Sequence, residues 1–401
     1  MKRGSSMGVP PTSLARRALP GRASLLLAAT FASGALSVAC GPTQIELDPR
    51  TVVDVQVRPA SGQRLFCPGD NFQVELVAKL LDGSSCSSTD RSRGCLGEKD
   101  AVIKAQDVRI QVPGAGRVGD AEQFIWSPPA DPLVTADTGL LLRGWIEKAI
   151  AGQTHKSMVG ETELKPVYEC QLSRSFAPTY IGSPGSNGGQ GPDVTIAITT
   201  LSTPWYPSAA LVRVEAMGSK HYFISPTVEQ AVKITTFGQP GAPGAPGHPG
   251  KDGQDGDDAP DSAPACTKGG IGQDGGDGGP GGDGGDGGQG GLIRVMLDDR
   301  AADKLRGRVL PQSLGGIAGG PGPGGLGGNG GQGGKGAKTT TACSDNDGKD
   351  GRRGSDGRPG RPGRPGQNGP APVETLASRD SLFAAEMPAI KRIEAAKGKG
   401  Q

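Results

Sequence analysis

The sequence predicts a mainly β protein: a β-sandwich, followed by a glycine-rich half in which extended rods are interleaved with β-strands. Three observations carry that prediction. From Thr51 to Cys170 short segments with alternating apolar residues recur between turns. From residue 238 to 371 four runs of similar length place glycine at every third position, which matches an extended helix of three residues per turn with no internal hydrogen bonds. Six cysteines follow an N-terminal leader, an even set of the kind that exported chains oxidise to disulfides.

The leader has Lys2, Arg3, Arg16, Arg17 and Arg22 ahead of the apolar stretch ASLLLAATFASGALSVA over 23–39, the composition of an export signal cleaved after a small residue. It ends in LSVAC, residues 36–40. That pentapeptide resembles the lipobox of bacterial lipoproteins, with Ser37 where an aliphatic residue is usual. The resemblance implies that Cys40 is lipid-modified, starts the mature chain and anchors it to a membrane of the bacterial cell envelope, the outer membrane being the expected one. Ordinary signal cleavage and an uncleaved anchor are the alternatives. No later apolar run approaches the ~18 residues of a membrane span. Loss of residues 1–39 removes five cations and no anion, turning a net charge of +2 into −3. A mildly acidic chain offers nucleic acid no electrostatic attraction.

The expected organisation is a signal peptide (1–39), a lipidated cysteine with a short polar tether (40–50), a β-sandwich domain (51–177), a glycine-rich rod-and-sheet domain (178–371) and a partly disordered C-terminal tail (372–401). In the sandwich Val53, Val55 and Val57 alternate, as do Phe72, Val74, Leu76 and Ala78. Six or seven such strands suit an immunoglobulin-like arrangement. Trp126, Trp145, Phe66 and Phe124 are expected in its core, with sugar stacking as the other reading of a Trp.

The glycine-rich half opens with a short run, GSPGSNGGQG (182–191), then strands Val194, Ile196, Ile198 and Val212, Val214, Ala216. The four long runs span 238–258, 269–291, 316–336 and 348–371, and LIRVML (292–297) separates the second from the third. GAPGAPGHPG and GRPGRPGRPG resemble collagen, which would imply a trimeric stalk. The frame breaks between runs, however, and GGDGGPGGDGGDGGQGG holds a single proline, whereas collagen keeps one frame with Pro near 15–20%. The half is more similar to polyglycine-II bundle proteins, such as a glycine-rich arthropod antifreeze protein and certain phage tail-tip adhesins. That resemblance implies three-fold rods of one monomeric chain, packed side by side and bonded laterally. A Gly-Gly-X rod offers two faces without Cβ atoms, so the second and third runs are expected inside and the first and fourth, with Pro in the third slot, outside. Charge on the outer rods speaks against ice binding.

Among the cysteines, Cys86 and Cys95 bracket a polar loop, Cys67 and Cys170 lie near the two ends of the first domain, and Cys266 and Cys343 remain in the glycine-rich half. Zinc is the competing use of these residues, but no CxxC occurs and His155, His221 and His248 are scattered. If the second and third runs are antiparallel, Cys266 and Cys343 arrive at one end. The second run carries Asp274, Asp277, Asp283 and Asp286, and the fourth Lys349, Arg352, Arg353, Arg358, Arg361 and Arg364. These stripes suit an ion-pair ladder, or two solvated faces, or, for Arg358, Arg361 and Arg364, a stripe that binds an anionic polysaccharide.

DGQDGDD (252–258) and SDNDGKDG (344–351) resemble calcium loops faintly, since Lys349 takes a slot where a ligand is needed. No nucleophile elbow, HExxH or P-loop occurs. No catalytic or metal residue and no cofactor is therefore expected. The expected function is a structural or adhesive envelope lipoprotein whose partners are the membrane and, beyond it, extracellular polysaccharide or another surface protein; a polysaccharide- or calcium-binding module is the alternative.

Overall fold

Strand Val52–Pro59 pairs antiparallel with Phe72–Leu80 in the computed structural model, which describes residues 42–118, 123–179, 182–337 and 346–397. Val55 and Val57 point into the core, but Val53 does not: a register shift between Val52 and Asp54 turns it outward, 41% exposed. Such a bulge inverts the facing of the residues it precedes. A second sheet centres on Leu140–Ile150, flanked by Gly160–Pro166 and Val108–Gln111. The two sheets share a core in which Val55, Leu76 and Ala78 meet Ile146, and Val57, Val74 and Trp126 meet Leu140, Leu142 and Leu164. They touch at Gly144, where an added Cβ would lie 3.0 Å from Leu76 and 3.1 Å from Val57. Phe66, Phe124 and Trp126 are buried as expected. Trp145 is not part of this core: it lies on the outer face, with Lys156 Nζ 4.0 Å from its ring centre. The expected tether is also structured, since Thr43–Ile45 pairs parallel with Ala101–Ile103 and Leu47 is buried.

The second half is a two-sheet core that gives rise to the glycine runs. One sheet has the order Ser219–Ser225, Ala209–Ala216, Val194–Leu201, Ile293–Asp298, Val373–Ala377, the last three strands parallel. The other is all parallel: Ser173–Phe176, Val232–Phe237, Val309–Leu314. Ile196, Ile198, Val212 and Val214 of the first pack on Val232, Ile234 and Val309 of the second. Residues expected as a tail cover the first sheet's other face, where Phe383, Ile390 and Ile393, all fully buried, meet Leu201, Leu211 and Ile224. With both faces covered, Val194–Leu201 and Ala209–Ala216 are buried nearly throughout.

Parallel neighbours need long crossovers, and the glycine runs provide them. The first and second runs lead from Val232–Phe237 out and back to Ile293–Asp298; the third and fourth lead from Val309–Leu314 to Val373–Ala377. Neither helix nor strand occurs within any of them. The hydrogen-bond ladder passes from strand to run without a break: Gly188, Gly191 and Val194 donate to the carbonyls of Asp286, Gln289 and Leu292, and strand pairing then takes over at Val194 and Ile293.

Candidate functional surfaces

Each run is held by neighbours, once per turn. Gly276 N–H donates to Lys251 O at 2.8 Å, joining the second run antiparallel to the first; Gly325 N–H donates to Gly279 O at 2.9 Å, joining the third antiparallel to the second; and Gly357 N–H donates to Gly325 O at 2.7 Å, joining the fourth antiparallel to the third. Runs two apart in sequence are parallel: Gly247 N–H donates to Pro323 O and Gly278 N–H to Ser355 O, both at 2.8 Å. Two layers result. The first and third runs form one, and the short, second and fourth runs the other. Among the described residues the second run bonds all four others, while the fourth bonds only the second and third. Glycine is needed where the runs approach most closely, since a Cβ at Gly278 would collide with the carbonyl of Gly325, and one at Gly244 with that of Gly282.

The acidic stripe is used differently from either expectation. Asp274, Asp277, Asp283 and Asp286 accept the backbone N–H groups of Arg352, Ser355, Arg361 and Arg364 at 2.6–2.7 Å. The side chains of Arg358, Arg361 and Arg364 take no part, and among the described residues no carboxylate pairs with them; Arg353 with Asp356 is the one ion pair within the fourth run. The ion-pair ladder is therefore replaced by carboxylates capping backbone donors, a bond strengthened by the acceptor's charge. The calcium-like segment follows the same rule: Asp252, Asp255 and Asp258 cap the N–H groups of Asn329, Gln332 and Lys335 at 2.6–2.7 Å. Asp350 caps Gly333 likewise, while Ser344 and Asp345 lie outside the described residues. The signal was present in sequence. In the third slot of each turn these runs carry mostly Pro, which needs no acceptor, or Asp and Asn, which supply one.

Arg358, Arg361 and Arg364 thus form an exposed series, three residues apart, on the run that bonds only the second and third. Cys67 is bonded to Cys170 and Cys86 to Cys95. Cys266 is disulfide-bonded; its expected partner Cys343 lies outside the described residues, as does Cys40. The one described group of side chains with metal-ligand spacing, Cys67, Asp70 and Cys170, has both sulfurs committed to a disulfide.

One buried polar cluster is structural. Glu386, buried before helix Met387–Ala396, accepts from Tyr222 Oη at 2.7 Å and Arg213 Nη1 at 2.9 Å. Burial works against its ionisation, but the Tyr222 hydroxyl and the Arg213 and Lys220 charges outweigh it and hold the carboxyl below the usual range. Near the start of the chain Lys104 and Lys148 flank Glu46 at 2.5 and 2.6 Å and lower its pKa to about 2. Beside Tyr222 and Lys220 an open cleft of 280 Å³ is lined by Asp131, Arg174, Lys220, His221 and Tyr222. No family model, curated protein or solved structure matches this chain.

Proposed function

We propose that the chain is a monomeric lipoprotein of the bacterial envelope, held to the outer membrane through Cys40, with a structural and adhesive role and no catalysis. In this reading residues 51–177 are an immunoglobulin-like sandwich, and the runs are polyglycine-II rods that form a stiff projecting bundle. The monomeric reading is supported by lateral bonds made within one chain, where a collagen-like stalk would draw them from three. The adhesive reading rests on one observation: the Asp side chains of the second run bond the backbone of the fourth, leaving the guanidinium groups of Arg358, Arg361 and Arg364 as a regular, unpaired row. A regular row of cations matches the repeat of an anionic polysaccharide better than it matches a small ligand.

The soluble mature chain should bind dextran sulfate and not neutral dextran, with an affinity that falls as salt screens the charges. Arg358→Gln/Arg361→Gln/Arg364→Gln should weaken binding about tenfold or more, the order of a few lost charge contacts. Equal binding by the triple variant would overturn the adhesive assignment. The anchor is tested separately: Cys40→Ser should move the protein to the soluble fraction and abolish acyl labelling.

A further inference from the structure

The short run fills only part of the groove it occupies. It lies between the first and second runs: Gly188 and Gly191 donate to the carbonyls of Asp286 and Gln289 on one wall, while Ser186 and Gly189 accept the N–H groups of Ala242 and Gln239 on the other, at 2.7–3.0 Å. Asn187 adds a side-chain cap, its Oδ1 accepting the N–H of Asp286 at 2.8 Å. The second run's glycines beneath it, Gly285 and Gly288, are buried, and a Cβ on either would collide with the short run's backbone. At Gly185 the short run turns away, its φ at +76° and its N–H donating to Pro243 O.

The groove continues beyond that turn with the same chemistry. On one wall the backbone N–H groups of Ala245, His248 and Lys251 have no partner among the described residues. On the other, the carbonyls of Asp283, Pro280 and Asp277 and the N–H groups of Asp283 and Asp277 have none. These are the groups that follow Ala242 and Asp286 at the run's own three-residue spacing. The floor is Gly276, Gly279 and Gly282, where an added Cβ would meet the first run's backbone nitrogens no closer than 3.0–3.3 Å. At Gln273, the next position in this series, a side chain is already present and exposed. Three turns of lane therefore stand open, roughly 30 Å long at ~3.1 Å per residue. The open edge is the three-fold counterpart of an unpaired β-strand edge, which takes up extended peptide by backbone bonding.

We propose that this lane binds an extended segment of another polypeptide with glycine at every third residue and Asn or Asp before each glycine, running parallel to the second run as a continuation of the short one. The short run sets each requirement. Glycine faces the floor because a Cβ at Gly188 would lie 2.8 Å from Gly288 N on the floor and would collide with Gln239 O on the wall. Asn or Asp stands in the third slot because Asp277 and Asp283 offer the N–H group that Asn187 caps at Asp286. The lane lies on the first and second runs, so it is independent of the arginine row on the fourth.

The probe is the synthetic peptide (Gly-Ser-Asn)₄, titrated to millimolar concentration into the oxidised mature protein and read by amide exchange. Exchange at Ala245, His248 and Lys251 should slow about tenfold or more at saturation, with no change at the already bonded Gly241 and Gly244. The peptide (Ala-Ser-Asn)₄ should have no effect. Gly276→Ser/Gly279→Ser, with an unfolding midpoint close to that of the parent, should abolish the slowing. Unchanged exchange at the three amides, or equal slowing by the alanine peptide, would overturn the proposal whether or not the double variant folds.

Discussion

Asp283 and Arg361 stand opposite one another on neighbouring runs, yet the carboxylate bonds the arginine's backbone N–H, at 2.7 Å, and leaves its guanidinium free. The same 78-residue offset recurs at Asp274 with Arg352, Asp277 with Ser355 and Asp286 with Arg364. A ladder built on main-chain donors is indifferent to the side chain it faces, as Ser355 demonstrates by taking an arginine's place. Asp283→Ala should therefore cost about 1 kcal/mol, the usual net worth of a hydrogen bond, whereas Arg361→Gln should change stability by less than ~0.5 kcal/mol. Urea unfolding of the two variants decides it; equal losses would return the stripe to an ion-pair role.

Glycine has two different uses in these runs, and substitution separates them. Gly278 lies where the second run meets the third, and a Cβ there would collide with Gly325 O, whereas at Gly320 nothing lies within 4 Å. Gly278→Ala should destabilise by about 3 kcal/mol or more, since the colliding atoms are backbone that cannot shift singly. Gly320→Ala should be neutral or stabilise by about 0.5 kcal/mol, because it lowers the entropy of the unfolded chain. Thermal unfolding of both measures the contrast, and a neutral Gly278→Ala would contradict the packing.

How much of this was legible in the sequence depends on which force sets the feature. The three-residue period and the Gly-Gly-X composition mark runs that need close approach on two sides, and the second run does bond four neighbours. Spacing and position also single out the pairs Cys86–Cys95 and Cys67–Cys170. The role of the aspartates was not legible from charge, because a carboxylate beside an arginine is read as an ion pair until the backbone donors are placed. Val53 was misplaced by a bulge, and Trp145 because hydrophobicity does not say which face of a sheet is inner. From sequence alone the segment after residue 372 reads as a tail, because its apolar residues are few. Phe383, Ile390 and Ile393 gain their burial from a sheet face, lined by Leu201, Leu211 and Ile224, that exists only once three strands distant in sequence from this segment have paired.

Acid should loosen that helix. The Glu386 carboxyl is held below its ordinary value in the fold, burial opposing the shift while Tyr222 and Arg213 carry it. A depressed acid pKa contributes stability that is complete above the unfolded value, about 4.3, and is lost as pH falls through the folded one. The urea midpoint should therefore drop as pH is lowered below about 4.3, and Glu386→Gln should flatten that part of the profile. An unchanged slope in the variant would assign the acid loss to other carboxylates, Glu46 first among them, since its pKa of about 2 acts in the same direction.

The remaining disulfide tests the arrangement of the runs by chemistry alone. Cys266 is oxidised, and four of the other cysteines are paired with one another. Gly334 N–H donates to Gly270 O and Ala337 N–H to Thr267 O, each at 2.9 Å, so the end of the third run lies beside the start of the second. Cys343 follows Ala337 by six residues in the sequence, whereas parallel runs would put the end of the third run at the far end of the second. A bridge from Cys266 to Cys343 would close a long, glycine-rich loop, removing about 4–5 kcal/mol of unfolded-state entropy on the loop-closure account. Non-reducing peptide mapping should recover Cys266 linked to Cys343. Reduction of that bridge alone should lower the unfolding midpoint of the runs. Recovery of Cys266 linked to any other cysteine would contradict the antiparallel pairing of the second and third runs.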